Sequence, residues 1–218
     1  MARVRIFSGG GRYGDPWHPF TQTSAAVADI LTGAGHGTEV VRDLPASLTD
    51  LGAVDVLVVN AGGQPTEEIV PDPEWAAAFD DLGRWLDQGG RLLGLHTAAN
   101  AFPDWPDWPA RLGGRWVRGT SFHPERSEAS FGPCPGAAKH PVWDGLDTVE
   151  ADDERYSSME VAPGSVRLVQ HVTDGVTEVM GWANGGHVLY DGLGHDARSY
   201  ESPSRARLLL NEVSWLLG

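Results

Sequence analysis

The apolar positions of the chain keep two different rhythms. Val4 to Ser8 is a short apolar run stopped by Gly9-Gly10-Gly11, and an alanine-rich stretch from Pro19 to about Leu31 follows it with helical spacing. Thr38 to Val41 predicts a second strand. Val54-Asp55-Val56-Leu57-Val58-Val59 predicts a third, apolar enough to be covered on both faces as a parallel strand is. Pro73 to Leu86 places Trp75, Phe79, Leu82 and Leu86 one helical turn apart, with acidic residues in its first turn. That helix leads into Gly89-Gly90-Arg91-Leu92-Leu93-Gly94-Leu95-His96, a short strand running into a sharp turn.

Strand alternating with helix predicts an α/β fold: an open, mostly parallel sheet with helices on both faces and right-handed crossovers. The second half changes rhythm. Arg126 to Phe131, Val166 to Val172, Glu178 to Trp182 and His187 to Tyr190 are short strand candidates separated by turn residues, which predicts an antiparallel continuation. Pro203 to Leu217 closes the chain as an amphipathic helix, with Leu208, Leu209, Val213 and Trp215 to Leu217 available to pack. With 218 residues, no internal repeat and no break in composition, one domain over residues 1–218 is expected.

Composition narrows the partners more than the fold. No apolar run approaches the roughly 20 residues that span a bilayer, so a membrane is not expected. The formal charge of −14 repels phosphate backbones and anionic lipid, which argues against nucleic acid and favours a small neutral or cationic ligand. A strand starting at Arg3 leaves no room for a secretory leader, so a cytoplasmic location is expected. Cys134 is the only cysteine; it can form no intramolecular disulfide, and in Gly132-Pro133-Cys134-Pro135-Gly136 it reads as a structural loop residue.

Ligands of such sheets bind at the carboxyl ends of the strands. The loops expected there are Gly9 to Pro19, Asn60 to Gln64, the turn at His96, and Gly192 to Asp196, which contribute His18, Asn60, His96 and His195. Each histidine could act as acid, base, hydrogen-bonding group or metal ligand. Their spacing fits no compact zinc pattern, so a divalent ion at His18, His96 and His195 would have to be assembled by the fold. The Gly94-Leu95-His96-Thr97-Ala98 turn has the small residues at −2 and +2 that a nucleophile elbow needs, but carries a histidine. At a helix start, the macrodipole would keep His96 neutral.

Three further features admit two readings each. Ser121-Phe122-His123-Pro124-Glu125 contains the His-Pro-Glu string of class I glutamine amidotransferases, but it follows His96 by only 27 positions and the elbow lacks the cysteine, so glutamine hydrolysis by that route is not supported. Asp152-Asp153-Glu154-Arg155-Tyr156 is either a solvated loop or helix start, or a carboxylate pair able to serve as acid, base or metal ligand. Trp17, Trp105, Trp108 and Trp143 fall in stretches read as loops, where their faces could stack on sugar rings, or they are packing residues.

Taken in order, several stretches resemble the ThuA-like, or trehalose-utilisation, family of the class I glutamine amidotransferase-like superfamily. They are Gly89 to His96, then Leu112-Gly113-Gly114-Arg115-Trp116, then His140-Pro141-Val142-Trp143-Asp144-Gly145-Leu146. Asp152 to Tyr156, Val188-Leu189-Tyr190-Asp191-Gly192-Leu193-Gly194-His195 and the terminal helix with Trp215 complete the match. The resemblance implies a flavodoxin-like fold and a role in catabolism of trehalose-related glucosides or their keto derivatives, with a small carbohydrate as partner. Its polar positions fall on His18, His96, His123, Asp153, Glu154 and His195. The expected site therefore has His96, His195, Glu154 and Asp153 as catalytic groups, with His18, Trp17, Asn60, His123 and Tyr156 around the substrate. Hydrolysis, isomerisation or elimination on a keto-sugar would suit these groups, with a divalent metal as the open cofactor question. The competing expectation is a non-catalytic sugar-binding or regulatory protein on the same scaffold. Pairing of subunits is compatible with either.

Overall fold

In the computed structural model of the chain, which describes residues 1–63 and 69–218, eleven strands and four α-helices are assigned. Gln64, the last residue of one loop expected at the site, lies outside the described residues. The main sheet runs β2-β1-β3-β4-β11-β10-β9-β6-β7. Its first five members, β2 (Gly37–Arg42), β1 (Arg3–Ser8), β3 (Val56–Asn60), β4 (Leu92–Leu95) and β11 (Val188–Asp191), pair in parallel. From β11 onward, β10 (Val176–Asn184), β9 (Val166–Thr173), β6 (Ser127–Pro133) and β7 (Val149–Asp153) pair antiparallel. A two-stranded ribbon, β5 (Gly114–Arg115) with β8 (Glu160–Val161), stands apart.

The uninterrupted apolar run of β3 has a direct cause. Val56 and Val58 belong to the core with Val27 and Leu31 of α1 (Phe20–Gly33) and Leu208, Leu209 and Val213 of α4 (Pro203–Leu217). Leu57 and Val59 belong to the opposite core, with Trp75, Phe79, Leu82 and Leu86 of α2 (Pro73–Asp87) and Trp108 and Leu112 of α3 (Trp108–Leu112). Side chains alternate across a strand, so a strand covered on both faces needs apolar residues at every position. The helices start where the sequence allows: Asp72 accepts a hydrogen bond from the Glu74 amide ahead of Pro73, and Ser202 caps Pro203 through the Arg205 amide.

Three expectations need correction, and one open choice, at the tryptophans, is decided for packing at three of the four positions. The charged run 152–154 is neither loop nor helix start at its beginning: it ends strand β7, where Val149, Ala151 and Asp153 point inward. The turn at His96 opens no α-helix but a short 3₁₀ turn, His96–Asn100. Prolines 103, 106 and 109 explain this, since each removes an amide donor and disfavours helix before it. Trp105, Trp108 and Trp143 are buried packing residues, the last two donating through their indole N–H to the Ala98 and Leu168 carbonyls. Asn60 is also buried, its amide donating to Thr23 Oγ1 and Ser24 Oγ of α1.

Candidate functional site

Three strands of the parallel half deliver the three histidines to one rim. His18 lies in the loop after β1, His96 at the end of β4, and His195 beyond β11. His96 has a φ of 47°, the left-handed conformation of a strained elbow, which aims its side chain out of the sheet line. Gly94 lets α3 and the turn pack close to the strand: a Cβ there would stand 2.8 Å from Leu112 Cδ1 and 3.2 Å from Ala98 Cβ.

The carboxylate comes from the other half. Asp153, at the end of β7, accepts hydrogen bonds from the Glu154, Gly194 and His195 amides and from Ser199 Oγ, at 2.5 to 3.2 Å. It is fully buried behind the site and ties the β7 end to the loop after β11. The expected catalytic pair is thereby divided: Asp153 anchors, and Glu154 alone enters the site. His18, His96, Glu154 and His195 each offer one ligand atom, and the four atoms lie within 4.8 Å of one another.

The hydrogen bonds of the ring nitrogens specify which atoms are on offer. His96 Nδ1 is held by the Gly192 carbonyl at 2.7 Å, leaving Nε2, which lies 3.4 Å from Glu154 Oε2. His18 Nδ1 is held by the Asp15 carboxylate at 2.7 and 2.8 Å, leaving Nε2. His195 Nδ1 lies 3.3 Å from Glu154 Oε1. Three buried atoms here have no hydrogen-bond partner: His18 Nε2, His195 Nδ1 and Glu154 Oε2. Buried polar atoms left unpaired are costly and uncommon, and three facing one another fit an ion. An imidazole whose second nitrogen is held by a carboxylate or carbonyl is the usual support for a metal ligand. Three imidazoles and a carboxylate suit a divalent first-row ion such as zinc.

Electrostatics in the protein alone point the same way. Burial alone would raise the Glu154 carboxyl, but the His195 and His96 imidazoles, 3.3 and 3.4 Å away, hold it far below the usual range. Burial opposes charge on His96, yet Glu154 and Asp153 raise its pKa. The helix start on which the expectation of a neutral His96 rested is not built by the chain. Burial lowers His18 despite Asp15. One buried negative charge surrounded by imidazoles is a site that attracts a cation.

A cavity of about 310 Å³ opens beside the cluster, lined by Trp17, His18, Trp116, Arg118, His123 and Tyr156 among others. Trp17 is the exposed member of the tryptophans expected at loops, 74 % accessible. Tyr156 is buried, its hydroxyl 2.9 Å from His96 Nε2 and its ring stacked on His96 at 4.3 Å between centroids. His123 stands at the rim, with Nδ1 3.5 Å from Glu154 Oε1. Asn60 does not line this cavity, because α1 holds it. A larger open groove of about 960 Å³ beside α4 lacks any comparable group of metal-ligating side chains among the described residues.

Sequence reasoning missed Asp15, Trp116 and Arg118. Asp15 had a signal in its spacing three residues before His18, within reach of its ring; Trp116 stood at the end of a matching stretch. Arg118, whose guanidinium reaches the Gly63 carbonyl at 3.3 Å, had none.

A histidine on an elbow at the carboxyl rim of a doubly covered sheet defines an α/β protein with amidotransferase-like architecture and without the amidotransferase nucleophile. Cys134 cannot supply one: it is buried away from this site, and burial pushes its thiol up to about 11. The family profile described as ThuA, trehalose utilisation, matches residues 3–216, and the chain belongs to that family. Among solved structures it is similar to a putative ThuA-like protein from Parabacteroides merdae, with a TM-score of 0.79 and 18 % identity over 99 % of this chain and 90 % of that one. A putative ThuA-like protein from Bacteroides uniformis follows at 0.74 and 16 %, covering 99 % and 91 %. A glutamine amidotransferase from Methylobacillus flagellatus shares the fold at 0.56 and 16 %, covering 89 % and 70 %. No curated protein matches the chain. Among the described residues no helix is long and apolar enough to cross a membrane.

Proposed function

We propose that this protein is an enzyme of carbohydrate catabolism that acts on a trehalose-related glucoside or its keto derivative at a divalent metal centre held by His18, His96, His195 and Glu154. The observation that carries the reading is the set of three buried, unpartnered atoms on His18, His195 and Glu154, converging with His96 Nε2. When bound, the ion would polarise a carbonyl or hydroxyl oxygen and acidify a bound water.

A ring nitrogen committed to a metal cannot also give or take a proton. His96 and His195 then hold, and proton transfer falls to groups that face the cavity, Tyr156 and His123. Asp15 and the Gly192 carbonyl fix the ring orientation of His18 and His96. Trp17 and Trp116 offer apolar faces on the cavity wall, which match the C–H faces of a sugar ring. A cavity of about 310 Å³ suits one or two small rings.

The test is elemental analysis of the purified protein together with product analysis on trehalose-related glucosides and their keto derivatives. Near-stoichiometric metal, and loss of both metal and turnover in folded His96→Ala and Glu154→Gln variants, are expected. Full turnover by either variant would sink the reading. Saturable sugar binding without product would replace it by the non-catalytic, sugar-binding one.

A further inference from the structure

We infer that the Tyr156 hydroxyl and the metal ion compete for one lone pair, that of His96 Nε2, so that filling the centre releases the hydroxyl into the cavity. The inference rests on the metal reading of the site and deepens it.

His96 has two ring nitrogens, and only one is free to change partners. Nδ1 is fixed on the Gly192 carbonyl at 2.7 Å inside the fold. Nε2 is the atom that a metal must take, and the Tyr156 hydroxyl sits 2.9 Å from it. A hydroxyl hydrogen-bonded to that lone pair and an ion coordinated by it exclude each other, whichever group carries the proton.

The backbone at Tyr156 is pinned, so a change of partner falls to the side chain. Its carbonyl accepts from His171 Nε2 at 2.9 Å, and the next residue, Ser157, pairs with Phe122 through both backbone groups. His171 is itself fixed by Thr173 Oγ1 on its other nitrogen. The ring packs on His96 on one side and edge-on to Trp116 at 4.7 Å on the other. Tyr156 and Trp116 both line the cavity of about 310 Å³, which is the space open to a displaced hydroxyl. Metal loading thus moves a proton-carrying group toward the substrate volume.

Cobalt(II) and zinc(II) titrations of the wild type, Tyr156→Phe and His96→Ala decide it. Tyr156→Phe keeps the ring and removes the competitor, so it should bind cobalt(II) about fivefold more tightly, about 1 kcal/mol for one hydrogen bond, while losing turnover. His96→Ala should lose most of the binding. In the wild type, zinc(II) should shift the near-ultraviolet absorption of tyrosine, and this change should vanish in Tyr156→Phe. That spectrum reads the hydroxyl directly, even if the variant folds poorly. Equal or weaker cobalt(II) binding by a folded Tyr156→Phe, or a zinc(II)-bound wild type with unchanged tyrosine absorption, overturns the competition alone. A wild type that binds neither ion overturns the metal reading beneath it.

Discussion

The parallel and antiparallel halves of the sheet make unequal contributions to the same site. The parallel strands β4 and β11 are neighbours and β1 lies one strand away across β3, so the loops after them meet at one rim by topology, and each brings one histidine. Glu154 comes from β7, five places from β4 in the strand order. The end of β7 is tied to the loop after β11 where Asp153 accepts from the Gly194 and His195 amides and where Arg126 pairs with both Asp152 and Asp196. The first half supplies ligands through its connectivity, whereas the second supplies charge through a specific buried anchor. Neutral imidazoles without the carboxylate would be a weak cation site, and the carboxylate without them an unsupported buried charge.

The sharpest break in this comparison is Glu154→Gln. It leaves all three histidines and removes the negative charge, and metal affinity should fall on the order of 1000-fold, beyond the 10- to 100-fold cost of an outer partner. Competition with a metallochromic chelator measures it. Retention of near-normal affinity would mean that the parallel half suffices.

Asp153→Ala attacks the join. It strands the Gly194 and His195 amides and Ser199 Oγ. The expected loss is about 3 kcal/mol of stability, read as a fall in Tm of roughly 6–12 °C. A normal Tm would show that the two halves are held together elsewhere.

The same contrast explains what could be read in advance. Helices α1, α2 and α4 and strands β3 and β4 were visible because burial leaves a continuous apolar run or a helical stripe, as at Val56 to Val59 and Trp75 to Leu86. By contrast β11, expected in the antiparallel continuation, pairs parallel with β4, and the stretch read as loop at Trp108 opens the short helix α3. His18, His96 and His195 followed from the rule that ligands bind where such strands end. Strand β7 was missed although its inward positions Val149, Ala151 and Asp153 alternate. The third is a buried aspartate whose partners lie more than 40 residues away, and no local pattern distinguishes it from a solvated acid. Glu154 was singled out through family likeness, and its separation from Asp153 in role required the three-dimensional hydrogen bonds. Asn60 failed for the opposite reason. It ends a strand at the correct rim, but the small hydroxyls Thr23 and Ser24 capture its amide.

Beneath the parallel half lies a second buried charge cluster, and its titration sharpens the comparison further. Arg205 of α4 pairs with Asp191 of β11 at 2.7 Å, both fully buried. Glu212, two residues past the middle of α4, faces them; burial first, then Asp191, pushes its carboxyl well above the usual range, which favours the protonated form beside Asp191. A folded-state pKa above the unfolded one stabilises fully at low pH, and the contribution is lost as pH rises past about 4.3, the unfolded value. Glu212→Gln cannot ionise. Its stability relative to the wild type, read from Tm, should therefore climb as pH rises above about 4.5, by up to about 1.4 kcal/mol per pH unit. A constant gap across that range would mean that Glu212 is ionised in the fold.

The smallest expected effect belongs to the cavity mouth. Trp17 is 74 % accessible and lines the cavity through a loop of the parallel half, while Trp116 lines it from the ribbon region and packs against Tyr156. Removing an exposed ring sacrifices little packing, so Trp17→Ala should leave Tm within about 2 °C of the wild type, a change of under 0.5 kcal/mol. If the ring stacks on a sugar, KM should rise a few-fold with kcat unchanged, because a contact made equally in ground and transition states is uniform binding. Trp116→Phe should instead change kcat, since its edge restrains the Tyr156 ring. Equal effects on KM and kcat from both substitutions would show that the two halves do not divide substrate holding from proton positioning.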